Sequence, residues 1–374
     1  MSREIQLDLS CLVIQMERPT QMKKDPIDPT SGDAPQDGDA SASINAVTAI
    51  NGATTTVPST GTSLQGDPTS AGTLSSAAAS MDDTADQTQL IEAVGDCNVA
   101  QVKKLLDAKV DVVPVLTFAA TQGLTGCLQV LIDAKADITA EYALIIAAYH
   151  GHVGFVQMLI DAKADIGATI EQGVTPLIVA ASAGGTKCVQ LLINAKVDLN
   201  AKEINGYTAL TSAAAFGHSG CLQALIGAKA DIDAKTDAGE TALMVAAFQG
   251  HTECLKILID AKADIRTTNS RGLAASLLAA NRGQVGCLKM LLDAKADINV
   301  RDSSGSTLVI VSVAAGHTPC VQLLIDAKAD IDATSKDGHT AVAVAALSGH
   351  TECLRMLLNA KVNLDRCRKY IAPA

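Results

Sequence analysis

Apolar residues recur at helical spacing in pairs of short runs along most of the chain. In the segment 201–233, Leu210, Ala213 and Ala214 would lie on one side of a first helix. A second run over residues 221–226 would form the buried side of a second helix. The pattern therefore predicts helix–turn–helix units, and because such units stack in a row, no single large core is needed.

The unit returns at a fixed period, which an alanine- and lysine-rich signature (AKAD and close variants) makes easy to follow. The last residue of this signature falls 33 positions apart at Asp165, Asp198, Asp231, Asp264, Asp297, Asp330 and Asn363. Two earlier copies end at Asp111 and Asp137, and their shorter spacing predicts a trimmed hairpin. The predicted units are 87–113, 114–139, 140–167, 168–200, 201–233, 234–266, 267–299, 300–332 and 333–365.

Polar and glycine residues punctuate each unit where its helices should begin and end. A threonine precedes the first helix, which predicts a hydroxyl N-cap at Thr175, Thr208, Thr241, Thr307 and Thr340. A second hydroxyl predicts an N-cap for the second helix at Thr186, Ser219, Thr252, Thr318 and Thr351. Glycines predict a hairpin turn between units at Gly173, Gly206, Gly239, Gly272, Gly305 and Gly338.

The recurring motif GxTALxxAAxxGHxxCLxxLIxAKADI resembles the ankyrin repeat and covers about three quarters of the chain. The resemblance implies an all-α solenoid of about nine helix-turn-helix repeats with short β-hairpin loops. Two departures stand out. The histidine that usually follows the first helix's opening tripeptide is replaced, for example by Thr211 and Met244, so hydrogen bonding by that imidazole should be absent.

The second departure is a lysine where the family usually has glycine after the second helix. It is uniform at Lys109, Lys135, Lys163, Lys196, Lys229, Lys262, Lys295, Lys328 and Lys361. A left-handed backbone would cost each lysine on the order of 1 kcal/mol relative to glycine. The uniform choice therefore indicates either a different local turn or a benefit from a cation at the helix C-terminus.

The two ends of the chain differ from the repeats. Residues 1–86 are rich in Ser, Thr, Gly, Ala, Asp and Pro, which predicts a disordered arm because little apolar surface can be buried. Within it, residues 5–16 are apolar and could be a strand, a docking peptide or an unstructured terminus. Residues 366–374 form a short tail after the last unit.

Composition and charge limit the classes of partner. The chain is 48% hydrophobic but only 2% aromatic, so its interior must consist mainly of small and aliphatic side chains. A net charge of −11 argues against general nucleic-acid binding, and no apolar run is long enough for membrane insertion. Ten cysteines without a secretory signal favour the cytoplasm or the nucleus. We expect a monomer.

The most suggestive chemical motif is His-x-x-Cys, as at His218 and Cys221. Each unit offers two ligands, whereas a zinc site needs four within about 2.0–2.3 Å of the ion and stacked helices lie roughly 8–10 Å apart. The same distance argues against disulfides between units. We therefore expect the cysteines to be small core residues, and we predict no metal, no cofactor, no catalytic residue and no enzyme.

The side chains that vary among units lie at the hairpin tips and at the ends of the first helices. The resemblance places the concave binding surface there. The candidate protein-binding residues are Tyr149, Glu171, Gln172, Ile204, Asn205, Tyr207, Phe216, Asp237, Glu240, Phe248, Gln249, Arg271, Asn281 and Arg282. Their aromatic members would either contact a partner at exposed positions or fill gaps between neighbouring helices.

These features predict a non-catalytic scaffold or adaptor that binds a protein partner of unknown identity on the concave surface. A regulatory or targeting subunit of an enzyme complex is the alternative. A structural spacer is a weaker alternative.

Overall fold

A computed structural model describes residues 85–360 except 137, 139 and 140. The first helix begins at Ala85, so residues 1–84 of the predicted arm lie outside the described residues, as does the tail 366–374.

Eighteen α-helices fill the described part of the chain and form nine consecutive pairs. Their bounds are α1 Ala85–Gly95, α2 Val99–Asp107, α3 Val113–Gln122, α4 Thr125–Asp133, α5 Glu141–Tyr149, α6 Val153–Asp161, α7 Pro176–Ser182, α8 Thr186–Asn194, α9 Ala209–Ala215, α10 Ser219–Gly227, α11 Ala242–Gln249, α12 Thr252–Asp260, α13 Ala275–Asn281, α14 Val285–Asp293, α15 Leu308–Ala314, α16 Thr318–Asp326, α17 Ala341–Leu347 and α18 Thr351–Asn359. The described β-structure is limited to isolated antiparallel bridges such as Arg301 with Thr307. The predicted all-α solenoid is confirmed.

The pairs stack so that one apolar core runs along the array. From α3 onwards, each first helix contacts the first helix of the next pair, and each second helix contacts the next second helix. The main core extends from Leu90 to Leu357. The cysteines of the second helices, such as Cys221 and Cys254, are buried in it, as expected for small apolar residues.

The two predicted N-cap positions behave differently. The first helices are capped as predicted, and the Oγ1 of Thr208 accepts a hydrogen bond from the N–H of Thr211. The prediction for the second helices is wrong, because Ser219 is the first helical residue of α10 and its N-cap is His218. The side chain of that histidine makes no capping bond to its own helix.

Those N-cap histidines instead join neighbouring units. The Nε2 of His218 lies 2.9 Å from the carbonyl oxygen of Ser182 in the preceding unit. Because a carbonyl only accepts, Nε2 must carry the proton and donate it. The same bond recurs from His152 to Thr121, from His251 to Ala215, from His317 to Asn281 and from His350 to Ala314. In the seventh pair, Gln284 donates to Phe248 at 3.4 Å in the same way.

Glycine after several of the first helices makes room for this contact. Gly184 has a positive φ of 77°, and a Cβ there would lie 2.7 Å from the Nδ1 of His218. Gly217 stands in the same relation to His251. The glycine is therefore required both by the left-handed backbone and by the imidazole of the next unit.

The lysines after the second helices keep the left-handed conformation, so a different local turn is ruled out for the eight that are described. Their φ angles lie between 59° and 71°. At α10, the N–H of Lys229 bonds to the carbonyl of Ile226 and the N–H of Ala230 bonds to that of Leu225. These two bonds form a Schellman motif. The fold thus accepts backbone strain at an exposed lysine in each of these units.

Replacing one of these lysines with glycine should stabilise the protein. We expect Lys229→Gly to raise the free energy of unfolding by about 0.5–1 kcal/mol, because the left-handed strain exceeds the entropy cost of glycine. Denaturant unfolding measures the change. The matched control is Lys256→Gly within α12, which should lower the free energy of unfolding by about 1 kcal/mol. Equal destabilisation by both variants would contradict the interpretation.

The partly buried ring of His218 should make stability depend on pH. Burial lowers the pKa of His218, the bond to Ser182 opposes that effect, and His251 adds to it. The fold therefore favours the neutral ring. The contribution of His218 to the free energy of unfolding is complete above the ordinary histidine pKa of about 6.5, and it is lost as the pH falls below that value. We expect the stability of the native protein relative to His218→Gln, which keeps an amide donor like that of Gln284, to decrease from pH 8 to pH 5.

His218→Ala is the control for the hydrogen bond itself. At pH 8, where the ring of the native protein is neutral, the free energy of unfolding of this variant should be about 1 kcal/mol lower than that of the native protein. Thermal unfolding of the three proteins over this pH range measures both effects. A stability difference between the native protein and His218→Gln that does not change with pH would contradict the assignment.

Candidate protein-binding surface

Five of the hairpins between units are each organised from within by one buried polar side chain. In the fifth unit, the Oε1 of Glu203 accepts hydrogen bonds from the N–H groups of Asn205 at 3.1 Å and Tyr207 at 3.2 Å. The corresponding buried residues are Glu203, Thr236, Asn269, Asp302 and Ser335. Their bonds fix the turn at the hairpin tip, where the predicted glycines have positive φ angles.

Backbone hydrogen bonds also link the tips of successive hairpins. The N–H of Asp237 donates to the carbonyl of Asn205 at 3.0 Å. Equivalent bonds run from Ile204 to Gln172, from Ser270 to Ala238 and from Lys336 to Ser304. The tips of the fourth to seventh units therefore form one connected row, and the tips of the eighth and ninth units are linked to each other.

Hairpin residues pack against the ends of the first helices, which places both on one surface. Tyr207 from a hairpin forms a small cluster with Ala215 and Val245, and Phe216 packs against it. In the preceding units, Ile145, Ile170, Val174 and Val179 form a similar cluster, with Tyr142 and Tyr149 packed against it. We call the hairpin tips and the C-terminal ends of the first helices the hairpin face.

The candidate residues fall into three groups on this face. Ile204, Asp237, Arg271 and Arg282 are exposed, and Ile204 retains 62% of its surface. Tyr149, Gln172, Asn205, Phe216, Phe248, Gln249 and Asn281 are half-buried. Tyr207 and Glu240 are buried, at 6% and 5% exposure. For Glu171 the structure describes only the backbone, in the short 3-10 turn Glu171–Gly173.

The expectation that Tyr207 and Glu240 present their side chains at exposed tips is therefore wrong. Tyr207 fills the gap between its hairpin and two first helices, and burial raises the pKa of its phenol. Burial also raises the pKa of Glu240, while a hydrogen bond from Asn269 and the charge of Arg271 oppose that effect. Both residues support the surface from beneath and do not contribute contact area.

The half-buried aromatics remain accessible to a partner. The guanidinium carbon of Arg282 lies 4.8 Å from the centre of the Phe248 ring, a cation–π geometry between adjacent units. The rings of Tyr149 and His150 meet edge to face with centres 5.1 Å apart. Sequence reasoning identified Tyr149, Phe248 and Arg282, but the contact between Phe248 and Arg282 requires the stacking distance and could not be read from spacing alone.

The turns after the second helices, which we call the turn edge, carry charged residues in a repeating arrangement. The Oδ1 of Asp231 accepts a hydrogen bond from the N–H of Asp233, and the N–H of Asp231 donates to the side chain of Asn200 in the preceding unit. The lysines of the left-handed turns are exposed close by in sequence. This edge repeats almost unchanged from unit to unit, which favours a structural role there.

The described residues offer little for reaction chemistry. Burial raises the pKa of the thiols of Cys221 and Cys254, the latter to about 11, which favours the unreactive thiol form. Within residues 85–360, apart from the three undescribed positions, no three or more His, Cys, Asp or Glu side chains are grouped to hold a metal ion. None of the helices described has the length and apolar character needed to cross a membrane.

A variant at the base of a hairpin tests whether the tips are held from within. We expect Glu203→Ala to lower the free energy of unfolding by about 1–3 kcal/mol, because two backbone N–H groups lose their buried acceptor. Glu203→Asn, which supplies the amide oxygen that Asn269 uses in another unit, should recover most of that loss. Chemical denaturation compares the two. Equal effects of alanine and asparagine would contradict the assigned role.

Comparison with known proteins agrees with this geometry. The crystal structure of the human ASB11 ankyrin repeat domain has a similar fold, with a TM-score of 0.51 and 21% identity over 55% of this chain and 95% of that chain. No curated protein matches the chain. A family model described as ankyrin repeats (3 copies) matches residues 116–203, 144–236, 177–269, 220–302 and 277–366. These matches span well over half of the sequence, and the chain therefore belongs to the ankyrin repeat family.

Proposed function

We propose that this protein is a non-catalytic scaffold or adaptor that holds a protein partner on its hairpin face. Ankyrin repeats are generally protein–protein interaction modules. The observation that carries the proposal is that variable, accessible side chains are concentrated on a face where most neighbouring tips are joined by backbone hydrogen bonds.

The held tips favour binding because they reduce its entropic cost. A partner that docks on a mobile loop must first order that loop, and each immobilised side chain costs about 0.5–1.5 kcal/mol. Here Glu203 holds the turn that carries Ile204 and Asn205, and Asn205 is bonded to the next tip. The positions that would meet the partner are therefore largely preformed.

The half-buried aromatics supply the contact area. Phe216 and Phe248 each keep part of the ring accessible while the rest packs against the array. Such partly supported aromatics resemble interface hot spots, which occur in well-packed surroundings. They also fill gaps between units, so both roles that the sequence suggested for them apply.

We place this scaffold inside the cell, in the cytoplasm or the nucleus. The described cysteines are free thiols, which supports a reducing compartment.

The test compares partner capture by two surface variants of the full chain. Ile204→Ser with Asp237→Lys changes two adjacent exposed tips and should abolish capture of partners from a cell lysate, as measured by affinity purification and mass spectrometry. Both side chains are exposed, so the melting temperature should stay close to that of the native protein.

The matched control makes the same two kinds of substitution at positions outside the hairpin face. Leu358→Ser with Glu253→Lys alters an exposed leucine and an exposed carboxylate on second helices. It should retain every specific partner. Equal capture by both double variants, or loss of the same partners from both, would reject the hairpin face as the binding surface.

A further inference from the structure

In the last three units, the hairpins and first helices carry more exposed cations than exposed carboxylates, although the whole chain is acidic. In the last three units, the hairpins and first helices cover residues 267–282, 300–315 and 333–348. Their charged residues at neutral pH are Arg271, Arg282, Arg301 and Lys336 against Asp302 and Asp337. All four cations and Asp337 are exposed, whereas Asp302 is buried and accepts hydrogen bonds from the hairpin backbone.

Two of these cations are held in place by neighbouring backbone. One guanidinium nitrogen of Arg301 donates to the carbonyl of Gly305 at 2.8 Å and to that of Thr334 in the next unit at 2.7 Å. The ammonium of Lys336 donates to the carbonyl of Ser303 in the preceding unit at 2.6 Å. Carbonyl partners position these two cations without neutralising them, so the charges project from fixed positions on the hairpins.

The other two cations contact an aromatic ring and a buried carboxyl group. Arg282 lies over the ring of Phe248, which carries no net charge. Burial raises the pKa of the Glu240 carboxyl and the charge of Arg271 lowers it, so Arg271 interacts with a carboxyl group that lies beneath the surface. The second helices and the turns after them show the opposite balance, with acidic residues such as Asp293, Asp297 and Asp330 outnumbering the lysines.

We propose that the hairpin face of the last three units binds an acidic segment of a protein partner in extended form. The proposal rests on the proposed function and names the chemistry of the partner. Arginine guanidinium groups pair well with carboxylates through two parallel hydrogen bonds. Extended chains rise about 3.3 Å per residue and stacked helices lie about 8–10 Å apart, so a carboxylate at every third residue would meet successive units.

A nucleic acid fits the surface less well than a peptide. Duplex DNA carries a charge about every 1.7 Å along its axis and requires a dense cationic track. Here four cations are spread over three units, and the rest of the chain is acidic. The accessible aromatic Phe248 beside Arg282 also suits a peptide that alternates acidic and apolar residues.

The experiment uses the full chain and a fluorescein-labelled peptide with five repeats of Glu-Ser-Leu, followed by fluorescence anisotropy. The acidic peptide should bind, while peptides with Lys or Gln in place of Glu should not. Arg271→Glu with Arg282→Glu should weaken binding by about tenfold or more, since two attractive charges become repulsive. Binding should also weaken as salt rises, because exposed charges are screened.

The matched control is Lys256→Glu with Lys289→Glu, which makes the same change in net charge on exposed positions of second helices. It should change the Kd by less than about twofold, because these positions lie away from the hairpin face. Failure of the acidic peptide to bind, equal weakening by both double variants, or tighter binding of a 20-base-pair duplex would overturn the proposal. If capture still depends on Ile204 and Asp237 while the acidic peptide fails, only the partner chemistry is rejected.

Discussion

The structure depends on contacts between neighbouring units, because no single helix pair can bury its own apolar side. Helices of seven to eleven residues are too short to be stable alone in water. Stacking buries their cysteine, leucine and alanine faces in one core, and polar contacts then set the orientation of each unit. The imidazole of His218 bonds to the end of the preceding first helix, while the Asp237 tip bonds to the preceding tip.

These couplings explain why the array tolerates strain elsewhere. Each of the eight described lysines equivalent to Lys229 has a left-handed backbone that costs free energy. The Schellman bonds at these lysines nevertheless end the second helices with the same geometry in every one of these units. The strain lies in the turns after the second helices, where the sequence hardly varies. The hairpin face, by contrast, varies in residue type while its shape is held by Glu203 and its equivalents.

The sequence predicted the fold well because period, helix spacing and turn residues all agree. It predicted the threonine caps and the turn glycines correctly, since those depend on local backbone geometry. It failed at Ser219, where the preceding histidine is the N-cap, and at Tyr207 and Glu240, which are buried. Each failure depends on a neighbouring unit, so a pattern read within one unit could not reveal it. The role of His218 between units was missed for the same reason.

A preformed binding face follows only if neighbouring hairpins are coupled. Native-state hydrogen exchange at the amide of Asp237, which donates to Asn205 in the preceding unit, measures this most directly. Coupled hairpins should give protection comparable with that of the Val245 amide, which lies in the adjoining first helix and bonds to Thr241. Exchange at Asp237 as fast as at an unbonded surface turn would show that the hairpins move independently and would contradict a preformed face.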